Sequence, residues 1–170
     1  MAALEGTMAM IVREPSGRPS VRAVRFWTWN AIVGWTFVVI LELLWMLAAN
    51  AWTATPHLVG LAVSVVAAAI HVSIMPRWRY RVHRWEITDD GIFVRSGWLT
   101  QETRVAPIAR LQTVDSRRGF LSRMMGLTSV TITTASSAGP LTIHALDDDV
   151  AREVVARLAE VAQESSGDAT

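Results

Sequence analysis

The chain has no cysteine and no lysine. Without cysteine it has no disulfide, no thiolate nucleophile and no thiolate metal ligand. All 16 basic residues are arginine, and 15 acidic residues reduce the net charge to +1, which exerts no general pull on nucleic acid. The four histidines, His57, His71, His83 and His144, fall in separate segments without ligand spacing, so no metal site is expected. A glycine-rich phosphate loop is missing. So is a nucleophile elbow, and the serines at 136 and 137 read as a turn. A secretory signal would need a basic start and an apolar run. The first 29 residues lack the run and carry Glu5 and Glu14 instead. Met8 and Met10 leave the start codon open. These absences set the expectation of a protein that is not an enzyme, with no cofactor, no small-molecule substrate and no nucleic-acid partner.

What the chain does have is apolar length. Hydrophobic residues make up 51% and mean hydropathy is +0.30, with the excess concentrated between residues 30 and 75. Residues 30–52 hold one charge, Glu42, and residues 57–75 hold no formal charge at neutral pH. A spanning helix needs about 20 mainly apolar residues. Both runs are apolar nearly all round, whereas helices of a soluble bundle keep a polar face. The connection at 53–56 is short, so the two spans should form an antiparallel membrane hairpin. Arg13, Arg18, Arg22 and Arg25 precede it, Arg77, Arg79, Arg81 and Arg84 follow it, and the connection has no basic residue. The positive-inside bias then places both termini in the cytoplasm of a multi-pass inner-membrane protein. Trp27, Trp29, Trp52 and Trp78 fall where interfacial aromatic belts are expected.

Glu42 sits in mid-span, where a carboxylate costs several kcal/mol unless it is protonated, paired or hydrated. Antiparallel geometry puts Ser64 at its depth and His71 about two turns nearer the cytoplasm, so Ser64 is the expected hydrogen-bond partner and a direct Glu42–His71 pair is not. Gly60, Ser64 and Ala68 recur every four residues, a small-residue stripe that would allow close helix approach. Three readings of Glu42 compete: a packing residue bonded to Ser64 or another subunit, a partner-recognition residue, and part of a proton or ion path in an oligomer.

From Tyr80 the apolar period becomes two. Tyr80, Val82, Trp85 and Ile87 read as a first strand, and residues 91–95 follow the Asp90-Gly91 turn as a second. Residues 99–105, 111–116, 129–135 and 141–145 read as further strands. Residues 119–126, GFLSRMMG, break the alternation as a short helical turn between glycines. Asp147, Asp148 and Asp149 supply the start of a last helix, whose stripe is Val150, Val154, Leu158 and Val161. The expected fold is therefore a membrane α-helical hairpin followed by a small all-β barrel or sandwich of about six strands, closed by a C-terminal helix. The parts are a cytoplasmic tail at 1–29, read as flexible over 13–22 from Ser16, Gly17, Pro19 and Ser20, the hairpin at 30–76, the β domain at 77–164 and a frayed tail at 165–170.

Three stretches carry a resemblance: ITDDGIFVRSGWLTQETRVAPIARLQTV, then GFLSRMMGL, then TITTA. Together with the order of spans and domain, they resemble the bacterial pleckstrin-homology (PH) domain of the YdbS-like membrane proteins. Arg110, Gln112, Arg123, Gly126 and Leu127 match as an ordered set, over residues 27–164. The resemblance implies a PH-like domain of about six to seven strands and no established activity. Glu42 is outside that pattern.

Two arginine groups remain. Arg77, Arg79, Arg81 and Arg84 lie below the expected inner leaflet, where they either fix topology or hold lipid head groups, at about 1 kcal/mol each. Arg117, Arg118 and Arg123 surround the glycine-bounded turn and could touch lipid, bind an acidic segment or keep the turn soluble. Phe120, Leu121, Met124 and Met125 form a candidate contact surface if exposed. The expected function is a cytoplasmic-face interaction module that docks a membrane protein or a second copy, with anionic-lipid sensing as the alternative and a Glu42 path as a weaker one.

Overall fold

The protein is described by a computed structural model over residues 15–50, 54–135 and 139–167. It divides into two units. One is the hairpin, Val24–Trp78; the other joins the segment up to Ala23 with everything from Arg79 onward.

The hairpin is built from α1 (Arg22–Ala48) and α2 (Thr55–Val82). At 1.5 Å per residue each is about 40 Å long, more than the roughly 30 Å hydrocarbon core of a bilayer requires. Only 11% and 6% of their apolar windows are buried, so neither is the core helix of a soluble fold. Exposed Val33, Phe37, Leu44 and Val63 would be costly in water and are at home in lipid.

Both helices outrun the expected bounds of 30–76. Nothing between Val21 and Asn30 breaks a helix, and Ser20 provides the start: its Oγ accepts a hydrogen bond from Arg22 N at 3.1 Å. At the other end Pro76 lies inside α2. A proline removes one donor and crowds the preceding turn; Arg77, next in the chain, donates from Nη1 to the Ser73 carbonyl at 2.6 Å. The helix then continues to Val82. Tyr80 and Val82 are therefore helical and not part of the first strand. Extending an existing helix costs far less than starting a strand, and a four-residue alternation is too short to oppose it.

The domain unit is two three-stranded antiparallel sheets, β1-β2-β3 and β4-β5-β6. The first contains β1 (Arg84–Ile87), β2 (Gly91–Gly97) and β3 (Gln101–Pro107). A 3₁₀ turn, Ile108–Arg110, leads to β4 (Leu111–Arg117). The short helix α3 (Phe120–Met124) separates β4 from β5 (Leu127–Thr134), and β6 (Leu141–Asp147) runs into α4 (Asp148–Gly167). Leu99, expected in a strand, lies in the β2–β3 turn. Residues 136–138 of the expected β5–β6 loop lie outside the described residues.

The core lies between the sheets and under α4. Ile92, Val130, Ile132, Ile143, Leu146 and Leu158 are its most buried members. On β5 the burial alternates with the pleat, and on α4 Ala151, Val154 and Leu158 form the buried stripe. These are the expected strand and helix periods meeting in one core.

Residues 15–20 belong to this unit, which corrects the expectation of a flexible tail over this stretch. Gly17 pairs with Trp85 through Gly17 N to Trp85 O at 2.9 Å and Trp85 N to Gly17 O at 3.0 Å. A Cβ at position 17 would come within 2.5 Å of the Trp85 carbonyl oxygen, so only glycine can lie this close. A bulge in β6 sets His144 and Ala145 against one residue of β5, with Ala145 at φ 54. Ala145 O accepts from Ser20 N at 2.9 Å. Ser20 Oγ also donates to Asp147 Oδ1 at 2.7 Å, and the Arg22 guanidinium lies 3.7 Å from the same oxygen. The start of α1 is thus tied to the junction of β6 and α4.

Candidate functional site

Within the hairpin, polar and ring contacts among the described residues join the helices. Ser64 Oγ lies 2.6 Å from Glu42 Oε1, Trp35 Nε1 donates to His71 Nδ1 at 2.9 Å, and the Trp45 and His57 rings meet edge to face at 5.3 Å. His71 is therefore partnered by tryptophan rather than by Glu42. Glu42 Oε2 is buried and has no hydrogen-bond partner among the described residues. The small-residue stripe does not bring the helices together along its length. Ser64 and Ala68 are half-buried, but Gly60 is exposed and a Cβ there would meet nothing within 4 Å. Four residues turn a helix through about 400°, so a four-residue repeat drifts off the interface by roughly 40° per step. Of the belt tryptophans, Trp29 and Trp78 are exposed and Trp27 is buried. Trp52 lies outside the described residues.

The arginines expected to face lipid divide into two kinds. Arg81, Arg117 and Arg123 are exposed, and Arg77 is exposed with one nitrogen on Ser73 O. Arg84 turns back on the C-terminus of α2, donating to Tyr80 O at 3.4 Å and His83 O at 2.9 Å, a capping role. Arg118 is paired with Asp148 at 3.0 Å. Arg79 is partly buried. Asp148 also accepts from Thr128 Oγ1 at 2.5 Å, so the acidic start of α4 serves the fold as well as the helix dipole.

The α3 segment presents a surface. Phe120 and Met124, one turn apart, are 81% and 71% exposed, while Leu121 and Met125 are half-buried. One face of a five-residue helix thus anchors it and the other stays bare. Gly126, at φ 65, ends the helix in the left-handed conformation where glycine is favoured. Arg117, shortly before α3, and Arg123, within it, are also exposed.

A second cluster had no signal in the sequence. His83 and His144, 61 positions apart, bring their ring centroids to 5.9 Å beside Arg79. His83 Nδ1 is 2.8 Å from Arg79 O; a carbonyl only accepts, so Nδ1 carries the proton. Burial, and then the Arg79 charge, lower both histidines from 6.5 to about 4. Arg84 and Arg95 line the same small space. Among the described residues no group of three or more His, Cys, Asp or Glu could hold a metal.

Residues 29–162 match the bacterial PH domain family. Over 101 residues the chain is 30% identical to the UPF0699 transmembrane protein YdbS of Bacillus subtilis (strain 168), covering 59% of this chain and 64% of that relative. The chain thus spans under two thirds of the relative's length. No solved structure matches.

Proposed function

Because the chain belongs to the bacterial PH domain family, a PH-like domain carried by a transmembrane protein, we propose that it is an interaction module anchored at the cytoplasmic face, docking a membrane-protein partner through the bare face of α3. The observation that carries this is the exposure of Phe120 and Met124 on a helix held from behind by Leu121 and Met125. Apolar anchors of this kind dominate docking energy when covered. The arginine bias of the segments flanking the hairpin supports a cytoplasmic domain. The matched family is named for a domain and not for a reaction, and the proposed role is binding. The test is native mass spectrometry of the full-length protein from its own membranes, alongside Phe120→Glu/Met124→Glu. A second membrane protein at fixed stoichiometry, lost in the variant, is the expected result. A folded variant that keeps every association overturns it.

Anionic-lipid binding is the second reading, favoured by exposed Arg117 and Arg123 beside Phe120. Vesicle binding that persists unweakened in high salt refutes it, because surface charge is screened within about 10 Å at 0.1 M.

A further inference from the structure

The outer edge of β3 runs beside a groove, and hydrogen-bond parity identifies the backbone groups it offers. Trp85 exchanges both its backbone hydrogen bonds with Gly17, so its N–H and C=O point away from β2. Successive residues of an antiparallel ladder alternate in direction. Arg84 and Glu86 therefore face β2, opposite Arg95 and Phe93. The alternation passes through β2 without a register shift, so Glu102, Arg104 and Ala106 of β3 face Ser96, Val94 and Ile92. The backbone groups of Thr103 and Val105 are left on the outer side. Pro107, next in the series, has a carbonyl but no N–H. β3 ends its sheet, and among the described residues no other strand takes these groups.

Open edges are usually blunted or covered. Here the edge lines a groove of about 440 Å³, with residues 102–107 as one wall and Arg110, Thr134, Gly139 and Leu141 as the other. Six strand residues run about 17 Å at roughly 3.4 Å each, enough for an extended segment of similar length. The charges in the groove are unequally satisfied. Arg104 bonds Glu102 Oε1 and the Pro140 carbonyl, both at 2.8 Å. Arg110 is exposed, and its side chain has no partner among the described residues. The groove therefore combines unused strand donors and acceptors with one uncommitted cation.

We propose that this edge receives an extended acidic segment of a partner protein. The segment adds as a fourth strand on Thr103 and Val105 and sets a carboxylate against Arg110. Strand addition takes its affinity from main-chain bonds and its selectivity from side chains that alternate into the flanking walls; a carboxylate on arginine adds a charge-assisted bond. The inference rests on the docking reading but on a surface separate from α3, so the two can fail independently.

The test uses full-length protein in nanodiscs as bait for a display library of eight-residue peptides, with empty nanodiscs as control. Enriched peptides should alternate β-prone residues around a glutamate or aspartate. N-methylation of alternate peptide amides should weaken binding by about tenfold or more, as loss of one or two main-chain bonds requires. Val105→Pro should do the same from the protein side. Arg110→Glu should weaken the acidic peptides and bind their Glu→Arg counterparts better. Phe120→Glu/Met124→Glu should leave peptide binding unchanged. No enrichment over empty nanodiscs overturns the proposal, as does a peptide insensitive to N-methylation, and neither result needs the protein variants to fold. Peptides lost with the α3 variant but not with Arg110→Glu would overturn the β3 site and leave the α3 reading standing.

Discussion

Acid should unfold the domain through two side chains. His83 is 3% exposed and His144 is half-buried. Burial, then the Arg79 charge, lowers both from 6.5 to about 4. The folded state therefore holds these rings neutral in a pH range where the unfolded chain protonates them. A histidine depressed on folding contributes stability that is full above its unfolded value, falls away below it, and is gone near its folded value. Between pH 7 and pH 5 the unfolded chain gains about 0.7 proton per ring and the folded state gains about a tenth. At about 1.4 kcal/mol per unit, each ring then loses roughly 2 kcal/mol over that interval. Protonating one ring also places a charge 5.9 Å from its neighbour, among Arg79, Arg84 and Arg95, so the pair titrates as one system of somewhat less than twice that value. The expected loss is about 3 kcal/mol, a large share of the stability of a domain this size. Pulse proteolysis of the full-length protein in micelles, across urea at pH 7 and pH 5, reads it directly. With a urea slope of about 1–3 kcal/mol per M, the midpoint should fall by roughly 1–3 M. His144→Gln should remove about half of the fall. A midpoint that stays put, or a variant that falls as far as the parent, refutes the reasoning.

Ser64→Ala should destabilise the hairpin by about 0.6–2 kcal/mol in a reversible micelle-unfolding assay, since it strips the partner from Glu42. Glu42→Met on the Ser64→Ala background should recover most of that loss; a purely additive cycle would show that the two do not interact. Ser20→Ala should cost about 1–2 kcal/mol of domain stability, because that hydroxyl serves both Arg22 N and Asp147; hydrogen exchange should rise at the start of α1 and at β6 together, and a rise at only one place would uncouple them. Gly126→Ala should cost about 1–2 kcal/mol, the left-handed conformation being unfavourable with a Cβ, and a thermal midpoint unchanged in Gly126→Ala would argue against the helix-stop role.

Local period carried far in this chain. Two apolar runs give two helices, and alternating burial on β5 follows the expected strand. The glycine-bounded turn is α3, because Gly119 and Gly126 mark its limits on either side of an apolar four-residue pair. The helical rise and an antiparallel loop alone set Glu42 and Ser64 at one depth. What was illegible depends on partners distant in sequence. Residues 15–20 look like a tail because serine, glycine and proline read as loop, yet Gly17 is there for its fit against Trp85, 68 positions away. Tyr80 and Val82 show the opposite failure. A four-residue alternation has too little free energy to end a helix already running, so the neighbour's state decided theirs.

The same distinction explains why charge was the least informative feature of the sequence. Arg81, Arg84, Arg110 and Arg118 are one residue type on a page of sequence, but their physical roles separate once partners are known. Arg84 closes a helix end, Arg118 is paired with Asp148, and Arg81 and Arg110 remain exposed. A pair exposed to water contributes little stability, typically below about 1 kcal/mol. The arginines that can act on something outside the chain are therefore those the fold leaves uncommitted. Arg110 gains its significance from position: it stands opposite a strand edge whose Thr103 and Val105 groups are open. If Arg110→Glu reversed the charge preference of bound peptides while Arg118→Glu lowered only stability, the difference between these arginines would be one of position alone.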